Sequence, residues 1–414
     1  MNKENNNNTI YKDTPLGKIP SDWEVKTLAN CCDIKGEYGI NAAAIEYSND
    51  HPTYIRITDI DDEGNYTDIK RMSVKDENSD KFILSKRDIV FARTGATVGK
   101  TYLYNEKDGI LVFAGFLIRF RPNEDILLSQ HLKFYSSTKT YWDWVKTVSM
   151  RSGQPGINAE EYGLLKVPIP PLPEQKAISK LLSTWDDAIL KTQALLLQKE
   201  LSKKWLMQNL LTGKKRLKGF EGEWKKIHIK DIAKEVSIKN KTDKQLTVLS
   251  CTKYDGLVPS LEYFGRKIFS DDVSTYKIVP INHFAYATNH IEEGSLGYQE
   301  LLDEALISPM YTVFKTDSTI NDSFFYKLLK SYNLVSKYQA RMEGSIDRRG
   351  GLRWDAFSII RVCIPSYEEQ TAIAQLLQAA DKEIQLLKSK AEKLKEEKKG
   401  MMQVLLTGRK RLKV

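Results

Sequence analysis

The chain has 414 residues, 41% hydrophobic and 28% charged, ordinary proportions for a soluble globular protein of two to four domains. No apolar run approaches the ~20 residues that span a bilayer, which excludes a helical membrane protein. The formal net charge is +9, but Lys214, Lys215, Arg216, Lys218, Arg409, Lys410, Arg411 and Lys413 carry eight of those charges, so nucleic-acid binding would have to rest on local patches.

Residues 1–16 are polar and Asn-rich and read as a disordered tail, not a signal peptide. The four cysteines (Cys31, Cys32, Cys251, Cys363) lack C-x-x-C spacing and are expected as reduced, buried thiols of a cytoplasmic protein. The five histidines form no H-E-x-x-H or related metal pattern. From Gly17 the chain alternates short strand-like segments: Thr53–Ile60, Asp88–Ala92, Lys100–Tyr104 and Ile110–Phe120. A helix is predicted over Leu127–Val148, then a Gly-containing turn at Ser152–Tyr162 and a Pro-flanked strand, KVPIPP. A long helix follows and ends at LLTG, where Gly213 suits a left-handed C′ residue.

The plan then repeats. Trp224 and Ile229 answer Trp23 and Leu28, and strands are predicted at Thr247–Thr252, His283–Thr288 and Tyr311–Lys315. A helix is predicted near Asn321–Met342, with Asn321 or Asp322 as its cap, followed by the turn at Arg348–Phe357 and the strand RVCIPS. A second long helix ends at Gly408. Glu174–Lys218 and Glu369–Lys413 are identical at 20 of 45 positions without a gap, at a constant offset of 195 residues. The chain is therefore a tandem of two similar halves.

Each long helix carries apolar residues at alternating spacings of three and four. In the second these include Ile373, Leu377, Ile384, Leu387, Leu394, Met401 and Leu405, with Lys398 the one break. In the first they include Ile178, Leu182, Trp185, Ile189, Leu196, Leu206 and Leu210, interrupted by Thr192, Lys199 and Lys203. A seam this narrow is best buried by another helix, and the other copy is the obvious partner. The reading is an intramolecular antiparallel coiled coil, with Lys203 and Lys398 as register residues or partner contacts.

Over nearly the whole chain after the tail, this pattern resembles the specificity subunit of type I restriction-modification systems. The likeness is carried by TYIRITDI (Thr53–Ile60), DIVFARTGATVGKTYLY (Asp88–Tyr104), SGQPGINAEEY (Ser152–Tyr162), VPIPPLPEQKAI (Val167–Ile178) and the repeated LLTG-basic tail. The resemblance implies an α+β fold with two pseudo-symmetric target-recognition domains joined by two long antiparallel helices. The boundaries expected are a tail at 1–16, a first recognition domain at 17–167, a central helix at 168–218, a second recognition domain at 219–363 and a C-terminal helix with basic tail at 364–414. It further implies a non-catalytic subunit that binds double-stranded DNA, each domain reading one half of a split target. Two methyltransferase subunits would dock on it, bind S-adenosylmethionine and methylate adenine N6. Two ATP-dependent restriction subunits could join them. The halves diverge where Leu249–Gly256 replaces YIRITDI and Tyr286–Gly297 replaces ARTGATVGK, so an asymmetric target is expected.

Candidate DNA contacts follow from residue type. Thr58 lies in the first of these segments. Arg93, Thr94, Gly95, Thr97 and Lys100 offer a guanidinium, small hydroxyls, a close-approach glycine and an ammonium for phosphate, or for a guanine edge in the case of Arg93. Arg151, Ser152 and Gln154 flank a Gly-Pro turn, and a loop Gln suits adenine. In the second half, Ser345, Arg348, Arg349 and Arg353 surround two glycines, with Thr288, Asn289 and His290 as weaker candidates. The basic tails are assigned mainly to helix C-terminal charge.

Two other readings compete. Gly95–Thr101 reads G-x-x-x-G-K-T, one residue short of a P-loop, and the second half keeps nothing equivalent. A coiled-coil scaffold that reads no sequence is the other. No N-P-P-[FY] methyltransferase motif and no hydrolytic constellation is present.

Overall fold

The structure is a computed structural model that describes residues 10–150, 155–241, 245–343 and 351–412. Two compact units divide the chain: Met1–Gln193 with Ser389–Val414, and Ala194–Lys388. The two long helices, Leu172–Leu210 and Tyr367–Leu405, each contribute a segment to each unit.

In the first unit an antiparallel sheet takes the order Cys32–Tyr38, Leu117–Pro122, Ile89–Ala92, Thr101–Leu103. Its buried face packs Phe91 and Phe120 against Tyr141 and Tyr162. A second sheet, Leu111–Phe113, Thr53–Ile55, Met72–Val74, Ala44–Glu46, contains the parallel pair of the first two strands. Glu24–Thr27 pairs with Lys166–Ile169, so the start of the unit is stitched to the strand that leads into the central helix. The second unit repeats this. Its main sheet runs Ala233–Glu235, Tyr311–Thr316, Phe284–Ala287, Leu296–Tyr298, and Lys225–His228 pairs with Arg361–Ile364. Its other strands form a three-stranded sheet and a hairpin, Leu249–Thr252 with Gly256–Pro259.

Three sequence expectations are corrected. Each predicted internal helix is two helices: Ser129–Tyr135 and Lys139–Ser149, then Asp322–Leu329 and Tyr332–Glu343. The first break follows from Thr138, whose Oγ1 accepts from the Tyr141 amide (3.3 Å) and so starts a new helix. Asn321 does cap its helix, accepting from the Phe324 amide (3.1 Å). The expected tail is structured from Tyr11, because Tyr11–Thr14 and Gly17–Pro20 form a hairpin whose Ile19 is buried with Leu405 and Leu406. Cys363 is exposed, whereas burial pushes the Cys31 thiol up to about 11.

The helix seam is buried towards the globular ends of the helices and half-buried at Trp185, Leu196, Leu206, Leu387, Leu394 and Met401. Ile178 and Leu182 lie in one cluster with Met402, Leu405 and Leu406 in the first unit. Leu210 and Leu211 join Ile373, Ala374 and Leu377 in the second. The pairing is antiparallel. In the first unit Lys398 Nζ meets Asp186 Oδ1 (2.5 Å), and in the second Lys203 pairs with Asp381, the same two positions at the repeat offset. Lys199 pairs with Glu383 (2.8 Å), and the Thr192 hydroxyl donates to Ala188 O (2.7 Å). The polar breaks in the seam thus each have a partner.

The arginines that recur in the two basic tails at the repeat offset are structural. Arg411 grips the buried carboxylate of Glu174 through both Nε and Nη2 (2.7 Å each), and Trp23 Nε1 donates to the same group (2.9 Å). Arg216 makes the matching bidentate contact to buried Glu369 (2.5 and 2.6 Å). The neighbouring glutamines repeat as well. Gln175 Oε1 accepts from the Leu128 amide and Gln370 Oε1 from the Asn321 amide, while each Nε2 donates to two carbonyls. These contacts fix each helix start against its own globular part.

Replacing Arg411 leaves Glu174 buried without its cation. Arg411→Ala is expected to lower unfolding stability by about 3 kcal/mol, whereas Lys410→Ala at an exposed position should change it by less than about 0.5 kcal/mol. Urea unfolding followed by tryptophan fluorescence checks both. Lys398→Asp should destabilise the protein, and adding Asp186→Lys should recover about 1 kcal/mol of the loss.

Candidate nucleic-acid interface

The main sheet of the first unit ends at Ala92, and the chain turns at Arg93. The Arg93 amide donates to Phe116 O (3.0 Å), and its carbonyl accepts from the Ile157 amide (2.8 Å). Gly95 takes φ +72° and its amide donates to Pro155 O (3.2 Å). Thr94 Oγ1 donates to the same carbonyl (3.4 Å), and Thr97 Oγ1 donates to Thr94 O (3.4 Å). Two segments named separately from sequence, 93–100 and the turn before Tyr162, therefore form one surface. Burial pushes the Tyr162 hydroxyl well above its ordinary value; it stays protonated and donates to Ala92 O (2.7 Å), next to Arg93 in the chain.

The second unit builds the same junction. The Leu352 amide donates to Thr288 O (2.7 Å), which repeats the Ile157–Arg93 bond at the 195-residue offset. Gly351 has φ +64°, and a Cβ there would lie 2.6 Å from Thr288 O, so the close approach requires glycine. Thr288 Oγ1 donates to Met310 O (3.0 Å). Arg353 is exposed and starts the short helix Trp354–Ser358, as Asn158 starts Ala159–Gly163. Thr288, Asn289 and Arg353 are thus brought to one place. Beside them His290, Glu292 and Glu293 cluster, which makes this spot less favourable for an anion.

Not every candidate is free to bind. Lys100 Nζ pairs with Asp62 (2.6 Å) and donates to Ile60 O (3.4 Å), which ties this turn to the end of the Thr53–Ile60 segment. The same ammonium holds the Asp62 carboxyl below its ordinary value. Thr101 is buried against the Ser136 hydroxyl (2.7 Å). With Lys100 and Thr101 so committed and Gly95–Thr97 a single tight turn, the near-P-loop sequence makes no phosphate cradle. Thr58 is exposed, next to the Arg56–Asp59 pair (2.7 Å). Arg151, Ser152, Gln154, Ser345, Arg348 and Arg349 lie outside the described residues.

Sequence reasoning missed Tyr38, Phe116 and Met310. Tyr38 is cross-strand to Ile118, and the Arg93 guanidinium lies 4.9 Å from its ring centroid. Phe116 and Met310 are exposed, and their carbonyls hold Arg93 and Thr288 respectively. No strand is predicted over Cys32–Tyr38, so nothing in the sequence marks Tyr38.

Residues 20–199 match the family model described as the type I restriction modification DNA specificity domain. The chain is 27% identical over 435 residues to the putative type I restriction enzyme MjaX specificity subunit of Methanocaldococcus jannaschii, covering 97% of each. It is 25% identical to the MjaVIII specificity subunit of the same organism, over 96% of this chain and 95% of that one. Among solved structures, the S subunit of a type I system from M. genitalium matches with TM-score 0.56 at 14% identity, over 95% of this chain and 98% of that chain. The HsdS subunit from Thermoanaerobacter tengcongensis matches with TM-score 0.52 at 14% identity, over 94% and 98%. The structural likenesses extend the fold over both units. With the duplicated heads and paired helices, they show the fold of these solved subunits, and residues 20–199 carry the match to the specificity-domain family model.

Proposed function

We propose that this chain is the non-catalytic subunit that gives a type I restriction-modification complex its split DNA target. The observation that carries the reading is the repeated junction: one backbone bond at one offset, Ile157 to Arg93 and Leu352 to Thr288, dressed with different side chains. A scaffold that reads no sequence has no need of two equivalent surfaces with unlike chemistry. Each unit reads one half-site, and the difference between Arg93 and Thr288 supports an asymmetric target.

The paired helices set the distance between half-sites. Methyltransferase subunits dock on the chain, bind S-adenosylmethionine, and hold the flipped adenine in their own pockets. Two clefts support a partner that binds twice. One, of about 940 Å³, is lined by Lys204, Gln208, Thr212 and Lys214 in the second unit. The other, of about 760 Å³, is lined by Lys399, Gln403, Thr407 and Arg409, the same positions at the repeat offset. Restriction subunits would join this assembly to cut unmodified DNA. Among the described residues no helix is long and apolar enough to cross a membrane.

Single-molecule methylome sequencing of cells that express this chain with its neighbouring methyltransferase should give a split motif with N6-methyladenine in each half, lost on deletion of the chain. A soluble complex that yields no motif would turn the account toward a scaffold. Inserting one helical turn, about 5.4 Å, into both long helices should lengthen the unspecified spacer by roughly one or two base pairs, and an unchanged spacer would refute the ruler role.

A further inference from the structure

We propose that Arg93, laid on the ring of Tyr38, reads a guanine in the half-site of the first unit, and that the second unit has no such reader at the equivalent position. The inference rests on the DNA-recognition reading above and assigns one base to one residue.

Four observations carry it. The Arg93 main chain is pinned from both sides, by Phe116 O at 3.0 Å and the Ile157 amide at 2.8 Å. Its guanidinium carbon lies 4.9 Å from the Tyr38 centroid, within cation–π range. Among the described residues no carboxylate pairs with it, in contrast to Arg56, Arg119, Arg121, Arg216 and Arg411. Tyr38 is itself held, because its hydroxyl accepts from the Ala159 amide (3.0 Å), yet its side chain stays 39% exposed.

Stacking consumes the face of a guanidinium and leaves its N–H edge. That edge is a rigid fork of donors that fits the O6 and N7 acceptors of guanine in the major groove. A pre-oriented arginine also loses less conformational freedom on binding than a free one. Lys100 is compensated by Asp62, so Arg93 is the cation of this turn whose charge is not already matched by a neighbouring acid. Thr288 occupies the equivalent place in the second unit. Its hydroxyl is bonded to Met310 O, and it has no fork with which to recognise a guanine. Tyr38 is a positioning residue: it acts on the base through Arg93.

The test uses the full methyltransferase complex in cells, with motif sequencing as the readout. The wild-type motif should contain a fixed guanine in one half-site, and Arg93→Ala should open that position to other bases while the remaining positions, the other half-site and the spacer persist. Arg93→Lys, which keeps the charge and loses the fork, should also relax it. Tyr38→Leu should weaken the guanine preference alone. If Arg93→Ala abolishes methylation, purified complexes are compared on the target and on a duplex with that guanine replaced. The wild type should lose about ten- to hundredfold in affinity on the replaced duplex, and the Arg93→Ala complex should bind both equally. A target without a fixed guanine, an unchanged motif, or an equal loss for both complexes would overturn the assignment. The absence of any split motif in the wild type would instead refute the proposed function.

Discussion

Everything in this fold depends on fixing a long helix at the correct angle where it leaves a sheet. A 39-residue helix is a lever, so a small error at its root becomes a large error at its tip. The chain meets that constraint with a buried carboxylate gripped by an arginine that lies just past the end of the other helix. Glu174 with Arg411 and Glu369 with Arg216 are the two copies. A bidentate pair sets direction as well as distance, which a greasy contact alone does not. The adjacent glutamines, Gln175 and Gln370, then stitch the first helical turn to the loop that precedes the nearby short helix.

The same logic governs the seam. Apolar residues at three-and-four spacing bury the helix pair but tolerate sliding by a heptad. The Lys398–Asp186 and Lys203–Asp381 pairs remove that freedom, because a shifted register leaves half-buried charges without partners. For a protein whose proposed task is to hold two reading surfaces at a set spacing, a unique register matters more than the last increment of stability.

Much of this was legible in the sequence. The repeat, the seam, the Asn321 cap and the matching of Lys203 with Lys398 all follow from local spacing. Their acidic partners did not, since Asp186 and Asp381 are ordinary surface residues until the antiparallel register is known. The helix breaks at Ser136–Thr138 and Lys330–Ser331 were hidden by apolar periodicity that continues through them. The candidate site was half legible. Residue type singled out Arg93, Thr288 and Arg353, but the union of 93–95 with 155–157 and of 288–289 with 351–353 is a tertiary fact. Tyr38 reached the site only through its pairing with a distant strand. The basic tails, assigned to helix C-terminal charge, hid a more specific role, because Arg216 and Arg411 are bound to the buried Glu369 and Glu174.

The central claim is that two equivalent surfaces in one chain read different halves of one target. Its most direct test is the methylation motif of a complex in which Thr288, Asn289 and Arg353 are replaced together by alanine. The account predicts relaxed bases in one half-site, with the other half-site and the spacer unchanged. Relaxation spread over both half-sites, or a motif identical to the wild type, would contradict it.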